Sequence, residues 1–441
     1  MSRRQKLPAE PVVAHIESLS HEGRGVAHVD GKTVFIDGGL PGEKVSFRFS
    51  RRRARFAEGR VLEVLQASPE RVEPKCRHFD ICGGCSLQHM PSRDQLEHKQ
   101  GVLLEQFQHI GQVEPEQLLP PLQSSAWGYR RKARLGVKYV LKKQKLLLGF
   151  REKHSNFIAD LQQCEVLHPS IGHNLTGLRD LIGSLVAYDQ IPQVEVAVGQ
   201  NSTALILRHL VELTDADRVR LDGFQAETKY AIYLQSGGPE TITPLNQRTN
   251  TNLSYRIDGF DIDIRFRPDD FTQVNFDINN AMIQRVTDML DLQPMDRVLD
   301  LFCGLGNFSL PVASRSARVT GIEASERLVA RARENAADNG IANVDFQVLN
   351  LMQEDLAAPV LMEPYNKILI DPPRNGAKEI ISHLQFKQVE KLVYVSCNPA
   401  TLARDAGTLV REKGLVLKQA GVLDMFPHTS HVESVALFER N

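Results

Sequence analysis

Short apolar stretches separated by glycine-rich turns open the chain: VVAHIESLS, GRGVAHVDGKTVFIDG, EKVSFRFS and FAEGRVLEVLQAS fall between about Pro11 and Ser68. Hydrophobic and polar positions alternate within them, so one face of each segment turns inward. This region predicts a small five-strand barrel or sheet. The pattern lapses between Arg71 and His89, where three cysteines and paired glycines stand among polar residues, as in a loop organised by a ligand. RDQLEHKQGVLLEQFQHIG then carries apolar residues at helical spacing and stops at Gly111, which predicts a helix over 93–111. From Trp127 to about Asp263 the pattern is strand-rich, with a helical interlude at HPSIGHNLTGLRDLIGSLV. Residues 69–266 therefore read as a central α+β region, whose 93–111 helix is a candidate to pack on the domain that follows.

After Phe266 strands and helices alternate regularly. RVLDLFCG, ARVTGIEA, VDFQVLN, KILIDPP and KLVYVSC are near-continuous apolar runs, the mark of parallel strands covered on both faces. Residues 267–441 thus predict a doubly wound, nucleotide-binding α/β domain. No internal repeat interrupts the scheme.

Composition adds limits. With 441 residues and 42% apolar content, each of three regions can bury a core. No run of about 18 apolar residues suggests a membrane span, and the basic opening lacks the apolar stretch of a secretory signal, so a cytoplasmic location is expected. The net charge is only -1, which leaves any affinity for a polyanion to local clusters. Two exist, RFSRRRARFAEGR from Arg48 to Arg60 and YRRKARLGVKYVLKKQK from Tyr129 to Lys145, and together they favour a polyanion surface. Phe47, Phe49 and Phe56 in the first are open to two readings, stacking platforms or core.

The chemistry concentrates at predicted strand ends. RVLDLFCG runs into Gly304-Leu305-Gly306-Asn307-Phe308, where a helix should begin and where glycines allow a ligand close to the backbone. Glu323 closes the next strand, placed to accept hydrogen bonds from the ribose hydroxyls of an adenosine ligand. Asp371-Pro372-Pro373-Arg374 and Ser396-Cys397-Asn398-Pro399 end the fourth and fifth strands, where ligands bind in such folds. A thiol in the latter turn, Cys397, is positioned as an exposed, activated nucleophile, whereas Cys303, ahead of the glycine turn, reads as a packing residue. The other four cysteines, Cys76, Cys82 and Cys85 in a C-x5-C-x2-C set plus distant Cys164, suit zinc or a [4Fe-4S] cluster; three clustered ligands and one remote lean towards iron–sulfur. The C-x3-C-x2-C spacing of radical S-adenosylmethionine enzymes is missing.

Phe271-Thr272-Gln273-Val274-Asn275, Asp300 to Phe308, Asp371 to Arg374, Ser396 to Pro399 and His431-Val432-Glu433 together resemble the motifs of the RNA 5-methyluridine methyltransferase family. Residues 5–68 resemble a TRAM domain, more loosely, through GRGVAH, VFIDGGLPGE and FAEGRVLEVLQASPERVEPKC. The resemblance implies a Rossmann-like S-adenosylmethionine-dependent methyltransferase domain behind an amino-terminal OB-like RNA-binding barrel and a central α+β iron–sulfur region. It implies Cys397 as nucleophile, Glu433 as base, a [4Fe-4S] cluster on Cys76, Cys82, Cys85 and Cys164, and cofactor contacts at Gln273, Phe302, Asn307, Glu323, Asn350 and Asp371. Of those contacts, the residues alone reach only Glu323, Asp371 and the glycine loop. A barrel and a cluster together point to the branch acting on 23S ribosomal RNA, with no obligate protein partner evident. The cluster's expected role is structural or RNA-positioning.

Other readings are a transfer-RNA or dual-site ribosomal uracil methyltransferase and a non-catalytic RNA-binding protein. Cytosine-5 methylation is disfavoured because that family usually places a cysteine in the motif equivalent to DPPR. Amino-group methylation is disfavoured because Arg374 stands where an aromatic residue generally follows the two prolines.

Overall fold

The computed structural model describes residues 7, 10–353, 356 and 358–440. Residues 5 and 6, the expected start of the barrel, lie outside the described residues. The barrel has six strands rather than five: β1 (Val12–His15), β2 (Ser18–Leu19), β3 (Gly25–Val29), β4 (Lys32–Asp37), β5 (Lys44–Arg52) and β6 (Phe56–Gln66), in the order β1-β5-β6-β4-β3-β2. The extra strand arises because VVAHIESL breaks at Ile16, which turns fully into the core and divides one alternating run into two. Phe47 and Phe49, two residues apart and hence on one face of β5, also fill that core, with ring centroids 4.9 Å apart. They are therefore not open to stacking, while half-buried Phe56 lies under the Arg53 guanidinium. Gly59 of β6 is required here, since a Cβ would meet the Phe47 ring at 2.5 Å.

The next elements are α1 (Ser92–Gln106), which widens into a π turn over Phe107–Gly111, and β7 (Gln117–Leu118). Leu103 and Phe107 bury themselves in the core of the carboxyl-terminal domain, and β7 adds to the edge of its sheet. The central domain is built on β8 (Lys132–Val140), β9 (Lys145–Gly149), β10 (Gln193–Val198), β11 (Thr203–Arg208), β12 (Ala231–Gln235) and β13 (Thr243–Pro244), ordered β13-β12-β11-β10-β8-β9. α2 (Pro169–Gly172), α3 (Leu175–Ser184) and α4 (Asp215–Thr228) complete it, the last started by a reciprocal Thr214–Asp217 capping box. A hairpin, β14 (Leu253–Ile257) and β15 (Ile262–Phe266), shares one core with α5 (Phe276–Leu290).

The carboxyl-terminal sheet contains β16 (Arg297–Leu301), β17 (Arg318–Glu323), β18 (Val344–Val348), β19 (Lys367–Ile370), β20 (Lys391–Ser396), β21 (Leu415–Leu423) and β22 (Glu433–Arg440). Its order is β18-β17-β16-β19-β20-β22-β21-β7. β16 to β20 are parallel and β22 runs antiparallel between β20 and β21. Helices α6 (Ser309–Ala313), α7 (Glu326–Asp338), α8 (Lys378–His383) and α9 (Pro399–Arg411) connect and cover the strands. The strand order reverses between β16 and β19, so their carboxyl ends flank the crevice in which ligands bind in doubly wound folds.

Candidate active site

Cys397 follows β20 directly and precedes α9, whose amino cap is Asn398. That turn is fixed by its own polar groups: Ala400 N donates to Asn398 Oδ1 at 3.1 Å, and Asn398 N donates to Ser396 Oγ at 3.1 Å. It is also tied to the turn after β19, because Asn398 Nδ2 donates to the Arg374 carbonyl at 3.0 Å. The DPPR and SCNP segments thus form one unit. In the ladder between β20 and β22 Ser396 pairs with Ser434, so the next step sets Cys397 across from Glu433.

The cleft above this pair has a volume of about 550 Å³. Its walls come from three parts of the chain: His21 and Glu22 of the barrel turn between β2 and β3, Val102 and Gln106 of α1, and Arg374, Cys397–Ala400 and Ser430–Val432 of the carboxyl-terminal domain. The contributions of the barrel turn and α1 were not legible in the sequence, since no local pattern marks which distant element closes a cleft.

The electrostatics are those of a carboxylate-rich floor. Burial, then the Asp371 charge, pushes the Glu433 carboxyl up to about 8, while Arg374 and Lys99 act the other way. Burial alone raises Asp371 to about 7. The Cys397 thiol is half-buried and is raised to about 11 by burial, then by Glu433 and Asp371, with Arg374 opposing them. The thiol expected to be exposed and activated is therefore protonated at neutral pH by its protein surroundings, and Arg374 is the cation beside it that favours ionisation.

The glycine loop after β16 turns sharply. Phe302 has φ +66, an uncommon conformation for a bulky residue, and Gly304 and Gly306 follow at φ +55 and +88. α6 beyond it has only five residues, so the loop rather than a long helix shapes this corner. Asn307 is locked from three directions: it exchanges hydrogen bonds with Asn279 at 2.9 and 3.0 Å and accepts one from Tyr255 Oη at 2.8 Å. Asp300 is buried, raised to about 7 chiefly by that burial, and its Oδ1 has no hydrogen-bond partner among the described residues. Glu323 Oε1 accepts from Ser325 N at 2.9 Å at the end of β17. Asn350, after β18, is exposed, and its Oδ1 accepts from Met352 N at 3.1 Å. Half-buried Gln273 lies ahead of α5 beside Thr272, whose buried Oγ1 is also unpartnered. Phe302, Asn307, Glu323, Asn350 and Asp371 thus occupy the carboxyl-end side of neighbouring strands β16, β17, β18 and β19, with Gln273 on the segment leading into α5. Cys303 is a core residue.

The other four cysteines lie together. Cys76, Cys82, Cys85 and Cys164 line one pocket with Phe79, Phe150 and Leu161. None of the four is in a disulfide. Burial is the largest cause raising each of them, to about 11 for Cys82 and about 12 for Cys85; neighbouring cysteines add to it for Cys82, Cys85 and Cys164, and Glu165 for Cys76. Among the described residues no group of three or more His, Cys, Asp or Glu side chains is arranged to hold a metal ion.

Residues 245–441 match the family model described as tRNA (Uracil-5-)-methyltransferase, and residues 12–62 match the TRAM domain. A protein of Nitrosococcus oceani named 23S rRNA (uracil(1939)-C(5))-methyltransferase RlmD is 55% identical over 440 residues, covering 99% of this chain and 98% of its own. One of the same name from Methylococcus capsulatus is 50% identical, covering 99% of both chains. The chain belongs to the RlmD family. Its fold is similar to that of the Pyrococcus abyssi tRNA (uracil-54, C5)-methyltransferase solved with S-adenosyl-L-homocysteine, at TM-score 0.73 and 24% identity over 97% of this chain and 100% of that one. Among the described residues no helix is long and apolar enough to cross a membrane.

The two basic runs have different fates in this family member. Arg48, Arg51, Arg53, Arg55 and Arg60 are exposed along the barrel. In the second run the first cations are internal fasteners: Lys132 Nζ donates to the carbonyls of Pro268 and Asp270, both at 2.7 Å, and Arg131 lies over the Phe276 ring at 4.5 Å. Arg134, Lys138, Lys142, Lys143 and Lys145 are exposed.

Proposed function

We propose that this chain transfers a methyl group from S-adenosylmethionine to carbon 5 of a uridine in 23S ribosomal RNA, with Cys397 as covalent nucleophile and Glu433 as base. The observation that supports the proposal is that Cys397 lines an open cleft directly after the Ser396–Ser434 pair, with the buried Glu433 carboxyl near enough to raise its thiol. The names of the full-length relatives support the substrate.

Cys397 Sγ, as thiolate, adds to carbon 6 of the uracil, and the displaced π electrons give an enolate whose carbon 5 is nucleophilic. S-adenosylmethionine, when bound, supplies the electrophilic methyl group on a sulfonium. Glu433 then takes the hydrogen from carbon 5, the C5–C6 double bond re-forms, and the Sγ–C6 bond breaks to return the thiolate. A carboxyl raised to about 8 is a stronger base than an ordinary glutamate, and its value near working pH suits reversible proton transfer. Arg374 favours the ionised forms of both groups. The target base has to leave its stack to reach the thiol, which is cheapest in an RNA loop.

The residues fit the methyl donor. A sharply turned loop offers close backbone approach, the buried Thr272 Oγ1 and Asp300 Oδ1 atoms have no hydrogen-bond partner among the described residues, and Glu323 stands at a strand end where ribose hydroxyls bind. Gln273, Phe302, Asn307, Glu323, Asn350 and Asp371 would hold it. The donor set of Cys76, Cys82, Cys85 and Cys164 fits a [4Fe-4S] cluster, in which each iron takes one thiolate, so the four sulfurs need not converge on a single ion. Its role would be to fasten the loop after the barrel to the central domain. The exposed arginines of the barrel would track the phosphate backbone.

The test is methyl transfer from labelled S-adenosylmethionine to unmodified 23S ribosomal RNA and transfer RNA, followed by mapping of the labelled nucleotide. Label in 5-methyluridine of 23S RNA is expected. Label confined to transfer RNA, or to another base, would overturn the assignment.

A further inference from the structure

Residues 424–432 join β21 to β22, bring His431 to the cleft and lead directly into Glu433, yet most of what holds this loop comes from distant parts of the chain. His428 is at its centre. It is buried, and its backbone takes φ +65, a left-handed conformation that a residue with a Cβ rarely adopts. Its carbonyl accepts from both Ser86 N at 2.9 Å and Leu87 N at 3.0 Å, the two residues that follow Cys85. Its backbone N–H donates to Gln95 Oε1 at 2.8 Å, and Gln95 Nε2 donates to the carbonyls of Leu87 at 3.0 Å and Met90 at 2.8 Å. The ring stacks on Trp127 with centroids 4.0 Å apart. On either side, Tyr129 Oη donates to the Pro427 carbonyl at 3.0 Å and Ser430 N donates to Ser86 Oγ at 3.1 Å.

One residue thus joins the cysteine loop, α1 and the start of the central domain to the segment that carries Glu433, at a backbone angle that only surrounding contacts can enforce. We propose that His428 is a positioning residue for the proton-abstraction step: with Gln95 it clamps the 424–432 loop so that Glu433 faces carbon 5 of the uracil held on Cys397. The proposal rests on the reading of Glu433 as base. It adds that the base is aimed from outside its own domain, through the loop that carries three of the four clustered cysteines.

Misaiming the base has a signature that a general loss of structure does not share. Thiolate addition and methylation proceed while elimination stalls, so the methylated protein–RNA adduct accumulates on ordinary uridine RNA. The experiment compares wild type, Glu433→Gln, His428→Gly and Gln95→Ala on a 23S RNA fragment. It measures the covalent species on denaturing gels, the rate of free product, and adduct formation on the 5-fluorouridine fragment. His428→Gly relaxes the backbone and removes the ring; Gln95→Ala leaves His428 in place and removes its acceptor, and decides the matter if the glycine variant does not fold. Both are expected to raise the adduct on uridine RNA at least about tenfold and lower free product to match, with trapping on 5-fluorouridine RNA within about threefold of wild type. If Glu433→Gln accumulates adduct but the other two do not, or if their trapping falls in step with turnover, the clamp is refuted. If Glu433→Gln itself accumulates none, the reading of Glu433 as base falls and the proposal with it.

Discussion

Cys397 and Glu433 lie at the same end of the β20–β22 ladder, Cys397 just after Ser396 and Glu433 just before its partner Ser434. Two groups that must both lose a proton are therefore neighbours; the Glu433 charge raises the cost of ionising Cys397, and the Asp371 charge raises that of both. Arg374 is the nearby cation that opposes this. Below about pH 8 Glu433 is mostly protonated and cannot act as a base, and the thiol ionises only at higher pH. Single-turnover release of free methylated RNA at saturating RNA and S-adenosylmethionine is expected to climb with pH from 6 through about 8. Arg374→Met is expected to displace that rise to higher pH, as measured by the same profile; a flat profile, or a displacement to lower pH, would contradict the account.

Lys99 and Asp424 form a buried ion pair at 2.7 Å between α1 and the end of β21, and Lys99 Nζ also donates to the Phe426 carbonyl at 3.0 Å. Lys99→Met leaves the Asp424 charge buried and unpaired, which costs about 3–5 kcal/mol. The double variant Lys99→Met/Asp424→Leu removes both charges and should regain much of that loss. Urea unfolding of the four proteins in the cycle checks this, and equal losses in single and double variants would count against the pair as described.

The parallel strands were legible because their residues are apolar on both faces, and the motifs at their ends were legible because glycines, prolines and a cysteine interrupt those runs at their carboxyl termini. Much of the site was not legible. α1 reads from its apolar spacing as a helix that can pack on the following domain, but the burial of Gln95 and Lys99 on its inner face carries no such signal. The cations of Tyr129–Lys145 read in the sequence as part of one polyanion surface. Lys132 and Arg131 instead spend their charge on carbonyls and a ring inside the protein, which charge counting cannot distinguish from exposure.

The four-thiol pocket yields a compositional prediction. Protein purified without oxygen should carry about four irons per chain together with the visible absorption of an iron–sulfur cluster. Cys82→Ser should lose most of both, whereas Cys303→Ser should keep its iron. Iron analysis and absorption spectra decide this, and a Cys82→Ser protein with full iron content would remove the cluster from the account.

If the barrel arginines follow the phosphate backbone, the triple variant Arg51→Ala/Arg53→Ala/Arg55→Ala should bind the 23S fragment more weakly and with a shallower salt dependence. Each lost phosphate contact lowers the slope of log affinity against log salt by about 0.7 for single strands, or about 2 for three contacts. Filter binding between low and moderate salt measures it. An unchanged slope would assign these arginines to solvent.

The central claim is covalent catalysis by Cys397, and trapping on 5-fluorouridine RNA tests it most directly. Fluorine at carbon 5 cannot be removed as a proton, so after thiol addition and methylation the adduct persists. Wild-type protein with S-adenosylmethionine should give a denaturant-stable protein–RNA complex whose crosslinked peptide contains Cys397, and Cys397→Ala should give none and lose turnover by more than about 10³-fold. A complex that forms equally well with Cys397→Ala, or a crosslink to another residue, would contradict the account.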